Sequence, residues 1–487
     1  MTGLAFASAT ELARRIKARE FGCVEMLKMY FDRVDAFNAD LNAIIVQMRE
    51  AALASAEEAD QALARGDDVG PLHGVPMTTK ESYDIAGTPT TWGVPEQKDN
   101  IAAKDALAIR RLRAAGAVIF GKTNVPLMLS DFQSYNDIYG TTNNPWDLAR
   151  TPGGSSGGSA AALAAGLTGL ETGSDIGGSI RNPAHFCGVF GHKPTWSLLP
   201  PRGHAMPGIL SPSDISVIGP LGRSARDIET AMRVMAGPDE IASKGTRLEL
   251  KSLAKPIDEL SVAVWRDDDM ARVDDTVAAR VDAVAQALRD AGAAVDFDAR
   301  PVDARHSHTV YQCLLQATMS ARLPEERYRE VERRAAALDP EDQSIGATVQ
   351  RSQVARFRDW IANNEKRTHL RWQWHGFFEP AGGGFDVLIA PIMATSAFPH
   401  DHRPFGERRV VVNGAEVSYF DQVFWAGLAS VAYLPATVIP TGPDDAGLPI
   451  GVQIIGPEYG DLVTLGVAQF LEDSGFAFTP APAYQGE

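Results

Sequence analysis

Cysteine is scarce in this chain of 487 residues: Cys23, Cys187 and Cys313 are the only three. They are far apart, odd in number and never spaced as CxxC. That excludes a disulfide framework and a zinc knuckle and points to reduced thiols, hence to a cytoplasmic setting. Positive charge is also in deficit. The formal net charge is −16, and no basic cluster interrupts it. A nucleic-acid surface is therefore not expected. Long apolar runs are missing too. Ala160–Leu170 is the best candidate, but it is short and cut by Gly166 and Gly169, so no membrane span is expected. Met1–Lys17 lacks the apolar core of a signal peptide. Within residues 151–183, the densest glycine stretch, the Lys-Ser/Thr of a P-loop and a GxGxxG turn are likewise missing.

What remains is a chain with 45% apolar and 22% charged residues, ordinary values for a large packed core. Apolar spacing predicts one helix over residues 8–38 and another over 51–64, and a strand at 44–46. A helix–Gly–strand unit occurs at 106–120 and again at 277–297. Further strands are expected at 261–265, 386–390, 436–439 and 450–455, and further helices at 224–236 and 461–472. This alternation argues for α/β architecture. No linker separates halves, so one large domain over 1–487 is expected. It has an N-terminal helical part (1–69) and a peripheral helical section (320–375). Residues 200–208 read as a surface loop.

Residues 151–183 are the hardest to explain as packing. Thr151-Pro152-Gly153-Gly154-Ser155-Ser156-Gly157-Gly158-Ser159 precedes an Ala-rich run, and Gly173-Ser174-Asp175-Ile176-Gly177-Gly178-Ser179-Ile180-Arg181 follows it. A flexible linker would not enclose an apolar helix or carry Asp175 and Arg181. Gly153–Gly157 matches GxSxG literally, which would make Ser155 the nucleophile of an α/β-hydrolase-like esterase. That reading needs a strand before the serine and a histidine partner. The preceding Asn144-Pro145-Trp146 is turn-like, and the pairs His306/His308 and His400/His402 read as loop histidines without a metal-ligand set. Another reading makes Ser179 the nucleophile. Its flanking backbone N–H groups can converge on one oxyanion, and Lys80, at the end of a short strand, can act as base once neutral. The plain alternative for Lys80 is a salt-bridged lysine, with Glu81 and Asp84 close by.

Longer motifs bear on this choice. They are Gly74-Val75-Pro76 leading to Lys80, Gly121-Lys122-Thr123-Asn124, Asn144-Pro145-Trp146, the two Gly-Gly-Ser segments, Phe186-Cys187-Gly188 and Lys193-Pro194-Thr195. Looser matches follow at Gly219-Pro220-Leu221 and Leu448–Gln453. In these the chain resembles the amidase signature family, densely over about 70–220. The resemblance implies a single α/β/α domain around a mixed twisted sheet, and amide hydrolysis by a Ser–cis-Ser–Lys triad. It implies Ser179 as nucleophile, Ser155 as proton relay and Lys80 as base. It further implies oxyanion donors at Ile176, Gly177, Gly178 and Ser179, and a main-chain substrate contact at Leu129. Ser156, Asp175 and Arg181 are implied as supports, while Lys122 and Lys193 read as structural. No cofactor or metal is implied.

The expected partner is a small-molecule amide, with a homodimer as one oligomeric state open to the chain. The family also contains the glutaminase subunit of tRNA-dependent amidotransferases. Those relatives carry an acidic residue where Leu127 stands and an Asp where Val423-Phe424-Trp425 stands. The apolar set Met128, Leu129, Phe132, Tyr135, Trp196, Ile209, Phe424 and Trp425 favours a hydrophobic or aryl amide, with carbamates and esters open to the same chemistry.

Overall fold

The computed structural model describes residues 2–382 and 384–485. Its largest element is an eight-stranded mixed sheet. From edge to edge the strands are Ala294–Asp296, Ser261–Val264, Val387–Pro391, Pro449–Ile455, Ala436–Pro443, Phe190–Lys193, Val217–Gly222 and Glu171–Asp175. The first three pair in parallel and the remaining neighbours are antiparallel. Val387–Pro391 and Pro449–Ile455 are buried at every residue. Strands covered on both faces read as apolar runs, which is how these segments appear in the sequence. Helices flank the sheet. Two of them are Asp275–Asp290, capped by the Asp274 carboxylate on Thr276 N–H, and Asp461–Asp473.

A second, three-stranded sheet carries the lysine. Its order is Ile44–Gln47, Val118–Thr123, Pro76–Lys80. The last strand runs along the edge of the large sheet. Thr78 N–H donates to Thr168 Oγ1 at 2.9 Å, and Gly169 N–H donates to the Pro76 carbonyl at 3.0 Å. These bonds bring the end of Pro76–Lys80 beside Glu171–Asp175.

The expected helix over 8–38 is two helices, Ala9–Lys17 and Cys23–Leu41. Arg19 takes a left-handed φ of 59° between them. The second helix is capped from a distance: the Asp60 carboxylate accepts from Cys23 N–H at 2.6 Å and Val24 N–H at 3.2 Å. A cap from another helix leaves no local mark in the sequence.

The peripheral section is helical, in Glu325–Ala336, Ile345–Ser352 and Phe357–Phe378. It is preceded by Ala304–Ser320, so His306 and His308 are helical, not loop residues. The helix starts there because Asp303 accepts from His306 N–H at 2.7 Å. His400 and His402 do lie in a loop. Among the described residues no helix is long and apolar enough to cross a membrane.

Candidate functional site

Lys80 is fully buried at the end of its strand. Its Nζ donates to Ser155 Oγ at 2.6 Å, Ser156 Oγ at 3.0 Å and Ser174 Oγ at 3.0 Å. Desolvation lowers its pKa to about 7, although the charges of Asp175 and Glu171 act the other way. A depressed pKa does not by itself single this lysine out. Lys122 and Lys193, also buried, are lowered by desolvation to about 8 and about 7. Their ammonium groups are spent on structure. Lys122 holds the Pro89 carbonyl and Thr90 Oγ1, and Lys193 holds the Leu434 carbonyl at 2.7 Å. Of the three, Lys80 alone meets serine hydroxyls.

Ser155 sits in the first glycine turn, and the Gly154–Ser155 peptide is cis. A Cβ on Gly154 would run into the Asp131 carbonyl, so only glycine fits there. The turn is followed by the helix Gly157–Ala164, buried at every residue. Gly158 lets that helix press against the backbone of Asn124.

Ser179 lies in the second turn. The two turns are tied by Ser156 N–H donating to the Ser179 carbonyl at 3.0 Å, and by Gly154 N–H donating to Asn182 Oδ1 at 2.9 Å. Ser179 Oγ faces the same cavity as Ser155, with no hydrogen bond of its own among the described residues. Of the four expected oxyanion donors, Gly178 is engaged elsewhere. Its N–H donates to Asp175 Oδ1 at 2.8 Å, because that carboxylate gathers the turn beneath it and also accepts from Ile180 N–H at 3.1 Å. The N–H groups of Ile176, Gly177 and Ser179 have no protein acceptor among the described residues and are free for a ligand oxygen.

Asp175 and Arg181 form a fully buried bidentate pair, Nη2–Oδ1 and Nε–Oδ2 both at 3.0 Å. Arg181 also donates to Gln453 Oε1 and Ser430 Oγ, each at 3.0 Å. Burial alone would raise the Asp175 pKa, but the charge and hydrogen bonds of Arg181 hold it at about 2. A depressed carboxylate stabilises the fold fully above its unfolded pKa, about 4, and loses that contribution as pH falls towards 2. Arg181→Met leaves the carboxylate buried without its cation. It is expected to destabilise the fold by about 3–5 kcal/mol, read from urea denaturation at pH 7.

Two cavities meet at Ser179. One, of about 110 Å³, is lined by Ser155, Ser174, His204 and Trp92 among others. The other, of about 200 Å³, is more apolar, with Phe132, Leu315, Tyr419, Phe420 and Val423 in its wall. Leu129, Ile176 and Ser179 border both. Met128 and Phe132 therefore lie where expected for lining residues. Phe424 and Trp425 instead pack on Trp265 in the core. Trp196 stacks on Tyr433, Tyr135 stacks on His402, and Ile209 borders an outer groove. An aromatic in a motif is more readily spent on packing than on a ligand.

Sequence reasoning missed Ser174 and His204. Ser174 had a signal, a small hydroxyl within the Gly-Ser-Asp preceding Ile176. His204 falls in the stretch that reads as a surface loop, but it is buried. Its Nε2 lies 2.9 Å from Ser82 Oγ and its ring packs against Tyr83 and Trp92. Burial, together with the charge of Lys80, lowers its pKa to about 3, so it stays neutral. Because it bonds Ser82, no histidine serves Ser155 as an esterase base would.

A buried amine near neutrality, a hydroxyl against it, a second hydroxyl across the cavity and three free N–H groups can together activate a nucleophile and hold an oxyanion. Comparison with known proteins agrees with that chemistry. The Amidase family model matches residues 25–465. The chain is 32% identical to a glutamyl-tRNA(Gln) amidotransferase subunit of Carboxydothermus hydrogenoformans, over 97% of this chain and 98% of that one. It is 33% identical to the indoleacetamide hydrolase of Bradyrhizobium diazoefficiens, over 96% and 86% respectively. Among solved structures, 6-aminohexanoate cyclic dimer hydrolase in complex with its substrate superposes with a TM-score of 0.77 at 27% identity, covering 96% of this chain and 97% of that one.

Proposed function

Because the chain belongs to the amidase family, whose members hydrolyse carbon–nitrogen bonds, we propose that it is a free-standing amidase acting on hydrophobic or aryl amides. The observation that carries this reading is the Lys80–Ser155 contact at 2.6 Å in a cavity shared with Ser179. Neutral Lys80 takes the proton of Ser155 as Ser155 takes that of Ser179. Ser179 Oγ then bonds to the amide carbon, and the N–H groups of Ile176, Gly177 and Ser179 hold the oxyanion. As the C–N bond breaks, Ser155 protonates the leaving nitrogen and Lys80 restores the proton to Ser155. The acyl-enzyme is opened by water through the same relay, releasing a carboxylic acid and regenerating Ser179. Leu129 borders both cavities and offers its main chain to substrate, while Ser156, Asp175 and Arg181 hold the two turns in register. Carbamates and esters are open to the same tetrahedral chemistry. Three free, buried thiols support a reducing, cytoplasmic setting.

The second reading is an amidotransferase component that hydrolyses glutamine only with partner chains. The amidotransferase relative at 32% identity favours it. The apolar wall around Phe132 and Tyr419, with Val423 where the amidotransferase pattern has an acid, speaks for the free amidase. The purified chain alone decides between them. It is expected to turn over 4-nitroacetanilide at least 100-fold faster per active site than glutamine, followed by release of nitroaniline and of ammonia. Ammonia release from glutamine alone, appearing only on addition of partner chains, would establish the second reading.

A further inference from the structure

We infer that the two cavities divide the substrate: the acyl group enters the apolar one, and the departing amine lies in the polar one with an anionic group against Arg322. The inference rests on the proposed roles of Ser179 and Ser155 and adds to them a substrate class, apolar acyl amides of amines that bear a carboxylate.

The argument begins with the tetrahedral intermediate. The former carbonyl carbon holds four groups: Ser179 Oγ, the oxyanion, the leaving nitrogen and the acyl carbon. The oxyanion points to the free N–H groups of Ile176, Gly177 and Ser179. The nitrogen must face the group that protonates it, and Ser155 opens only into the smaller cavity, where Ser174, another partner of Lys80, also lies. The acyl carbon is left with the remaining opening. That opening is bordered by Gly177 and walled by Phe132, Leu315, Tyr419 and Phe420. Reversing the substrate would put the leaving nitrogen in the more apolar cavity, away from Ser155 and Lys80.

The walls differ in the matching sense. In the wall of the cavity with Ser155, Arg322 is the one charged side chain, His204 being neutral. Arg322 stands just past the end of helix Ala304–Ser320 and meets no carboxylate among the described residues. Ser213, Ser216 and Thr318 add hydroxyls to the same wall. On a chain of net charge −16, an uncompensated guanidinium among hydroxyls at a cavity suits a carboxylate, which arginine can bind with two N–H donors. The apolar cavity has Asp131 in its wall, but that carboxylate is already bound by Arg408 Nη1 at 2.7 Å and Tyr419 OH at 2.5 Å.

The test uses anilides with two acyl groups, acetyl and phenylacetyl, on two amines of similar electronic character, 4-aminobenzoate and neutral 4-chloroaniline. A mirror compound carries the carboxylate on the phenylacetyl ring instead. Phenylacetyl is expected to exceed acetyl in kcat/KM by at least about tenfold, from burial of the ring. The 4-aminobenzoate amide is expected to exceed its neutral counterpart about fivefold, shrinking towards parity in 0.5 M salt, as befits a partly exposed ion pair. Arg322→Gln is expected to lower the anionic-to-neutral ratio about fivefold, and Phe420→Ala to lower the phenylacetyl-to-acetyl ratio. Phe420 is 45% exposed, so its truncation spares the core. Because each readout is a ratio within one variant, partial unfolding does not mimic it. A preference for the mirror compound, or an anionic-to-neutral ratio unmoved in Arg322→Gln, would overturn the division of the substrate while leaving Ser179 chemistry intact. Hydrolysis of the set by Ser179→Ala would instead overturn the premise.

Discussion

Ser179→Ala is expected to lower kcat on an aryl amide by roughly 10⁴- to 10⁶-fold, with the fold intact by circular dichroism. The size of the effect follows from what the residue would do: without Oγ no acyl-enzyme forms, and the remaining donors can only bind. A fluorophosphonate that traps serine nucleophiles adds a direct readout. One equivalent is expected on the peptide carrying Ser179, identified by mass spectrometry, and none on Ser155. Label on Ser155, or activity within tenfold of the unaltered protein, would transfer the nucleophile to the GxSxG serine. The geometry argues against that outcome. Ser155 Oγ is held by Lys80 at 2.6 Å, whereas Ser179 Oγ is unengaged and borders both cavities.

Lys80→Ala is expected to lower kcat/KM by about 10²- to 10⁴-fold, the usual worth of a positioned base. The pH profile carries the sharper information. A lysine serves as base only when neutral, and burial brings Lys80 to about 7. Below that value kcat/KM should therefore fall about tenfold per pH unit, and above it the rate should level off. The variant should lose the inflection. Glu171, whose charge acts on Lys80, is a second buried group in this range, raised to about 8 by burial against the hydrogen bond from Thr78. Glu171→Gln should keep the break near 7. A break that persists in Lys80→Ala and vanishes in Glu171→Gln would assign the base wrongly.

Much of the fold could be read from the chain because strands such as Val387–Pro391 are apolar runs and several helices end at or just before a glycine. Gly66 caps Arg49–Arg65 with a left-handed φ of 80°, just beyond the helix expected over 51–64. The Lys80 strand and the two glycine turns were legible as well, since nothing in packing alone calls for them. What could not be read depends on distant partners. The break at Arg19 follows from a cap supplied by Asp60. His204 is buried because Ser82, Tyr83 and Trp92 make room for it. Gly178 looks like its neighbours in sequence, yet its N–H is taken by Asp175. Phe424 and Trp425 are apolar in the way pocket residues are, and only the position of Trp265 makes them core.

Tyr311 braces the second glycine turn. Its hydroxyl donates to the Ile176 carbonyl at 3.0 Å, and a Cβ on Gly427 would collide with its ring. Tyr311 belongs to helix Ala304–Ser320, which also lends Leu315 and Met319 to the wall of the apolar cavity. One rod thus braces the back of the second glycine turn and shapes the wall in front of it. For redesign this sets a simple rule. Positions 315 and 319 can be rewritten to admit new acyl groups, while Tyr311 and Gly427 have to travel together, as a hinge pin travels with its socket.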